Sequence, residues 1–142
     1  MRRAIEHARQ SKSEVPVGAI LLSPEGEAIA SAVNNREASQ DPTGHAEILA
    51  LRDGGQIMGD WRLEDCTLVV TLEPCVMCSG AILEARISKV IFGAYDLPKG
   101  AAGSAYDVLR DPRLGVGPEV IGGVLETECA ELLSNFFGEQ RP

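Results

Sequence analysis

The stretch Thr67-Leu-Val-Val-Thr-Leu-Glu-Pro-Cys-Val-Met-Cys-Ser-Gly-Ala-Ile-Leu-Glu-Ala85 decides the fold class. Thr67 to Leu72 is a continuous apolar run, the pattern of a strand buried on both faces. Pro74 opens a predicted helix that reaches about Ala85, since proline is tolerated in a first turn whose N–H has no partner anyway. Lys89-Val-Ile-Phe-Gly-Ala94 then reads as the next strand. A strand, a helix and a strand in succession place this stretch in an α/β alternation.

Upstream, Met1 to Lys12 reads as a short helix with a narrow stripe of Ala4, Ile5 and Ala8. Val17-Gly-Ala-Ile-Leu-Leu22 and Glu27-Ala-Ile-Ala-Ser-Ala-Val33 flank the turn Ser23-Pro-Glu-Gly26, which predicts a hairpin. Asn34 to Thr43 is polar and contains Asp41-Pro42, so it reads as a loop. A helical pattern begins at Gly44 or His45 and is expected to stop near Asp53-Gly54-Gly55. Downstream, Asp96 to Gly103 reads as a loop, Ser104 to Arg110 as a short helix, Glu119 to Gly122 as a fifth strand. Glu126 to Phe137 reads as a closing helix with Cys129, Leu132, Leu133 and Phe136 near one face. Strands alternating with helices after a hairpin predict a three-layer α/β/α fold with a five-stranded mixed sheet. The length of 142 residues suits a single domain, 1–142.

Thirteen basic and 21 acidic side chains give a net charge of −8, which argues against nonspecific coating of nucleic acid. A local basic lip remains open to residues such as Arg36, Lys99 and Arg110. No apolar run is long enough to span a bilayer, so no membrane partner is expected. The start, Met1 to His7, carries Glu6 and lacks the apolar core of a signal peptide, so a cytoplasmic address is expected. In that compartment Cys66, Cys75, Cys78 and Cys129 are not expected to form a disulfide framework. Cys66 and Cys129 lie in apolar segments and read as core thiols.

Cys75 and Cys78 are three apart at a helix start, so they share a face and feel the dipole that favours thiolate. His45 stands at the start of the other helix. One imidazole and two thiolates make a three-ligand zinc site whose fourth position is left for water, the catalytic arrangement. A redox Cys-x-x-Cys is the rival reading, and it leaves His45 and Glu47 without a task. Glu47 is two residues beyond His45, roughly 200° around a regular helix, so both reach one site only beyond the helix end. Its carboxylate is the candidate proton carrier. Asn34 serves equally well as a turn residue or a ligand-binding one, and Lys99 to Ser104 equally well as a connector. A noncatalytic zinc-stabilised scaffold is a further reading, one that gives Glu47 no role.

His45-Ala-Glu47 followed by Pro74-Cys-Val-Met-Cys78 resembles the signature of the cytidine/nucleoside deaminase superfamily. Glu14-Val-Pro-Val-Gly-Ala19, Asp41-Pro-Thr-Gly-His-Ala-Glu47, Thr71-Leu-Glu-Pro-Cys-Val-Met-Cys78, Lys99-Gly-Ala-Ala-Gly-Ser104 and Leu132-Leu-Ser-Asn-Phe-Phe137 narrow the resemblance to bacterial tRNA-specific adenosine deaminases. The resemblance implies a cytidine-deaminase-like fold, one zinc ion per chain on His45, Cys75 and Cys78, and a homodimer. It also implies conversion of adenosine to inosine at the wobble position of a tRNA anticodon stem-loop, in an arginine tRNA. Zinc-activated water attacks C6 while Glu47 moves protons, Asn34 orients the base, and Asp96, Lys99, Ser104 and Phe137 contact flanking nucleotides. Three features depart from the family pattern: Gly44 before the histidine, expected to loosen the helix start; Leu114-Gly-Val-Gly-Pro118; and the ending Gly138-Glu-Gln-Arg-Pro142 in place of a basic tail. With the acidic net charge, the latter two keep a second substrate class open, a free nucleobase or nucleoside.

Overall fold

A computed structural model describes residues 1–140; Arg141 and Pro142, the last residues of the short tail, lie outside it. The chain runs α1 (Arg2–Arg9), β1 (Gly18–Leu22), β2 (Ala28–Val33), α2 (Ala46–Met58), β3 (Thr67–Leu72), α3 (Val76–Glu84), β4 (Lys89–Ala94), β5 (Glu119–Ile121) and α4 (Glu126–Glu139). The strands form one five-stranded sheet in the order β2-β1-β3-β4-β5. β1 is antiparallel to both β2 and β3, whereas β3, β4 and β5 run parallel. This is the expected mixed sheet.

Side chains alternate across a strand, so each strand feeds two cores. Ala19, Leu21, Leu68, Val70, Val90 and Phe92 face a large cluster that Ala46, Ala50 and Leu51 of α2 and Ile82 of α3 complete. Ile20 and Val69 face the other way, onto Ala4 of α1, and Ala94 packs with Ile5 and with Cys129 of α4. Helices therefore cover both faces, giving three layers. Leu21, Leu68, Val70 and Phe92 are no more than 1% exposed, and burying each such side chain contributes about 1.5–3 kcal/mol.

Three elements differ from the sequence reading. α1 stops at Arg9 rather than Lys12. α2 does not end at Gly54-Gly55 but continues to Met58, where Gly59 at φ 71° supplies the left-handed cap. Gly54 instead packs onto β1, where a Cβ would overlap the Leu21 side chain. Ser104 to Arg110 forms no helix. Its backbone pairs with the chain just before it: the Gly103 N–H donates to the Tyr106 carbonyl at 2.9 Å and the Val108 N–H to Ala101 at 2.8 Å. A single short 3-10 turn follows at Pro112–Leu114, capped by the Asp111 carboxylate. Among the described residues no helix is long and apolar enough to cross a membrane.

The carboxyl ends of β3 and β4 lie side by side, and the chain leaves both toward the same end of the sheet. A crevice at such strand ends is where open α/β sheets bind ligands.

Candidate active site

The first turns of α2 and α3 build the centre of the site. His45 is the N-cap of α2 and Cys75 the N-cap of α3, both with extended backbone (φ −75° in each) that turns the side chain off the helix end. Cys78 follows one turn into α3 and is fully buried. Its Sγ lies 3.4 Å from His45 Nδ1, and the Cys75 Sγ lies 3.7 Å from the same nitrogen. The three ligand atoms fall within 4.8 Å of one another. Tetrahedral zinc with ordinary bond lengths sets a histidine nitrogen and a cysteine sulfur about 3.5 Å apart, so the cradle fits that ion.

Protonation in the cradle follows from its crowding. Hydrogen bonding from the Cys78 thiol pushes Cys75 down to about 4, with His45 adding to the effect. Cys78, left holding the proton beside the Cys75 sulfur and buried, is pushed strongly up. The hydrogen bond with Cys75 raises His45. These are the groups whose protons a divalent metal displaces on binding.

Glu47, the second residue of α2, is 4% exposed, yet it lines the same cavity as His45 and Cys75. Burial pushes its carboxyl up to about 7, against the opposing influence of its own amide and of His45. A carboxyl that exchanges its proton near neutrality suits general acid–base work.

The cavity encloses about 590 Å³, within the range of small-molecule sites. Its walls come from three directions: Asn34 and Arg36 after β2, Tyr95 to Lys99 after β4, and Leu133 and Phe137 of α4. The expected residues Asn34, Asp96, Lys99 and Phe137 thus meet around Glu47. Asn34 is held by backbone, its Nδ2 donating to the Val15 carbonyl at 3.2 Å. Phe137 is half-exposed and stands edge-on to Phe136 at 5.3 Å. Ser104 is not among the cavity's lining residues; its hydroxyl donates to Glu73 behind the wall. Leu114 to Pro118 also stays outside the lining, with Val116 fully exposed. Gly44 precedes the helix rather than belonging to it. A Cβ there would press on the Arg36 backbone at 3.2 Å, and the Gly44 carbonyl accepts the Asn35 N–H at 2.9 Å.

Two buried carboxylates behind the walls escape the sequence reading. Glu14 accepts the N–H groups of Glu37 and Ala38 at 3.2 and 2.6 Å, tying down the loop after β2. Glu73 does the same for the loop after β4. Glu14 stands just before one apolar run and Glu73 just after another, positions that do not by themselves mark a buried carboxylate.

Residues 1–94 match the profile of the cytidine and deoxycytidylate deaminase zinc-binding region. The chain belongs to this deaminase family. Within the family it is 46% identical, over 99% of its length and 88% of the relative's, to a tRNA-specific adenosine deaminase of Bacillus subtilis (strain 168). A tRNA-specific adenosine deaminase of Haemophilus influenzae is 44% identical over 99% of this chain and 83% of its own length. A solved structure from work on A-to-I editing by tRNA:A34 deaminases superimposes with a TM-score of 0.90 at 39% identity, covering 94% of this chain and 97% of that one. A guanine deaminase of Bacillus subtilis superimposes less well, with a TM-score of 0.65 at 31% identity, covering 98% of this chain and 90% of that one. His45, Cys75 and Cys78 all fall within the matched zinc-binding region, and their ligand atoms form a group fit to hold a metal ion.

Proposed function

We propose that this deaminase converts adenosine to inosine at the wobble position of a tRNA anticodon stem-loop, in an arginine tRNA. The observation that carries the proposal is the placement of Glu47. A buried carboxyl with a pKa of about 7 lies beside a three-ligand metal cradle, in the cavity that also takes in Asn34, Lys99 and Phe137. The likeness to tRNA adenosine deaminases over nearly the whole chain directs it to that substrate.

His45 Nδ1 and the Cys75 and Cys78 sulfurs would hold the zinc ion, which when bound would supply a water nucleophile near neutral pH. Glu47 takes the proton of the attacking water and delivers it to N1 of the adenine. It then takes the remaining proton from the oxygen now bonded to C6 and hands it to the amine, so that the C6–N bond breaks, one water is consumed and one ammonia leaves. Asn34 orients the base from the loop after β2. Phe137 offers an exposed ring face for stacking, and Asp96 and Lys99 meet the neighbouring nucleotides.

We read the whole chain as one deaminase unit acting in the cytoplasm as a homodimer. The outer side of α3 supports the dimer: Val76 is half-exposed, and the helix carries no charge before Glu84. An exposed apolar side chain on an uncharged stretch of helix suits burial against a second copy.

Incubating the zinc-loaded protein with arginine tRNA and digesting the product to nucleosides tests the proposal. Inosine at the wobble position is the expected result; ammonia release from free bases with no inosine in tRNA contradicts it. The second substrate class, a free nucleobase or nucleoside, draws on the structural likeness to guanine deaminase and on the net charge of −8. A panel of guanine, adenine and cytosine with their nucleosides separates the two readings.

A further inference from the structure

Asp96, Leu97, Pro98 and Lys99 line the cavity, yet the segment 96–104 contains no regular helix or strand. A carboxylate from elsewhere in the chain holds it. Glu73, the first residue after β3, is 2% exposed. Its Oε1 accepts the Asp96 N–H at 3.2 Å and the Ser104 hydroxyl. Its Oε2 accepts the N–H groups of Ala102 and Ser104, each at 3.0 Å. No lysine or arginine among the described residues forms an ion pair with it. A buried carboxylate without a counter-charge needs its donors, and here all of them belong to one loop. Gly100 lies so close over the carboxylate that a Cβ would overlap it. Two residues after Glu73 the chain reaches Cys75, so one short segment connects the cavity wall to the metal cradle.

We propose that Glu73 is a positioning residue for the substrate. By gathering the donors of 96–104 onto the end of β3, it fixes Asp96 and Lys99 relative to the cradle. It therefore governs how well the base and its neighbours are held, not the proton transfers at C6. This rests on the reading of the protein as a tRNA adenosine deaminase.

Glu73→Gln probes the clamp with little change in size. With the carboxamide nitrogen in place of Oε1, the Ser104 hydroxyl turns to accept from it, and only the Asp96 N–H is left without an acceptor. The variant thus frees the end of the loop that lines the cavity. Gly100→Ala attacks the same contact from the loop side, away from the zinc ligands.

The experiment measures kcat and KM of the zinc-loaded wild-type protein and both variants on an anticodon stem-loop. Zinc content and amide hydrogen exchange over 96–104 are followed in parallel. Loss of one hydrogen bond to a buried charge predicts a KM raised about tenfold in each variant, with kcat changed less than about twofold. Both variants should retain zinc, and the Asp96 amide should exchange faster in each. If Glu73→Gln fails to fold or to hold zinc, Gly100→Ala still decides the question. A fall in kcat at constant KM overturns the proposal, as does unchanged KM with unchanged exchange, or loss of zinc from Gly100→Ala. If the wild-type protein leaves the stem-loop unaltered, the functional reading fails instead, and the exchange data alone judge the clamp.

Discussion

The metal cradle and the walls around it are held by opposite kinds of interaction. His45, Cys75, Cys78 and Glu47 are placed by the first turns of two helices, within a few residues of where the backbone leaves its loop. The walls are placed by single carboxylates reaching far along the chain. Glu14 holds residues 23 and 24 positions away, and Glu73 holds residues 23 to 31 positions away. Short-range geometry thus fixes the chemistry, and long-range polar contacts fix what the chemistry meets. Damage to the first should abolish turnover; damage to the second should alter binding.

The largest effect is expected from Cys78→Ala. With one thiolate gone the cradle keeps only two ligands, and both bound zinc and deamination should fall to background; a variant retaining full zinc content would refute the assignment of ligands. Next in size is Glu47→Gln, which should keep zinc while kcat drops by about 10²- to 10⁴-fold, the usual span for general acid–base catalysis.

A third effect concerns stability rather than rate. The Glu47 carboxyl rises from an ordinary 4.5 to about 7 on folding. Its contribution to the zinc-free fold is therefore fully present below pH 4.5 and lost as pH rises through 7. That loss amounts to about 3 kcal/mol, since each pH unit between the two values is worth roughly 1.4 kcal/mol. Zinc-free Glu47→Gln should accordingly match wild type in urea unfolding at pH 4.5 and exceed it at pH 8. Equal stabilities at pH 8 would mean that Glu47 is not desolvated. The smallest effect is that of Phe137→Ala on the rim. Loss of a stacking face worth about 1 kcal/mol should raise KM roughly fivefold and spare kcat.

The same division explains what is legible in the sequence. The cradle is legible because its spacing is local: a histidine and a Cys-x-x-Cys, each at a helix start, carry their geometry with them. The sheet is legible because Thr67 to Leu72 and Lys89 to Ala94 are uniformly apolar. Glu73 and Glu14 are not, since nothing near either residue names its distant donors. Ser104 lies in a motif that implies substrate contact, whereas its hydroxyl lies on Glu73. Ser104 to Arg110 has a helical local pattern, but its amides pair with carbonyls of the preceding segment. At Gly54 the sequence suggests a stop, whereas the glycine serves the packing of α2 on Leu21.

The central claim, hydrolysis through Glu47 at a three-ligand cradle, is tested most directly in water labelled with heavy oxygen. The zinc-loaded protein is incubated with an anticodon stem-loop in that water, and the nucleoside product is weighed by mass spectrometry. The expected products are inosine carrying one heavy oxygen and one ammonia per inosine, with almost none of either from Glu47→Gln. Unlabelled inosine, or labelled inosine formed equally fast by the Glu47→Gln variant, would contradict it.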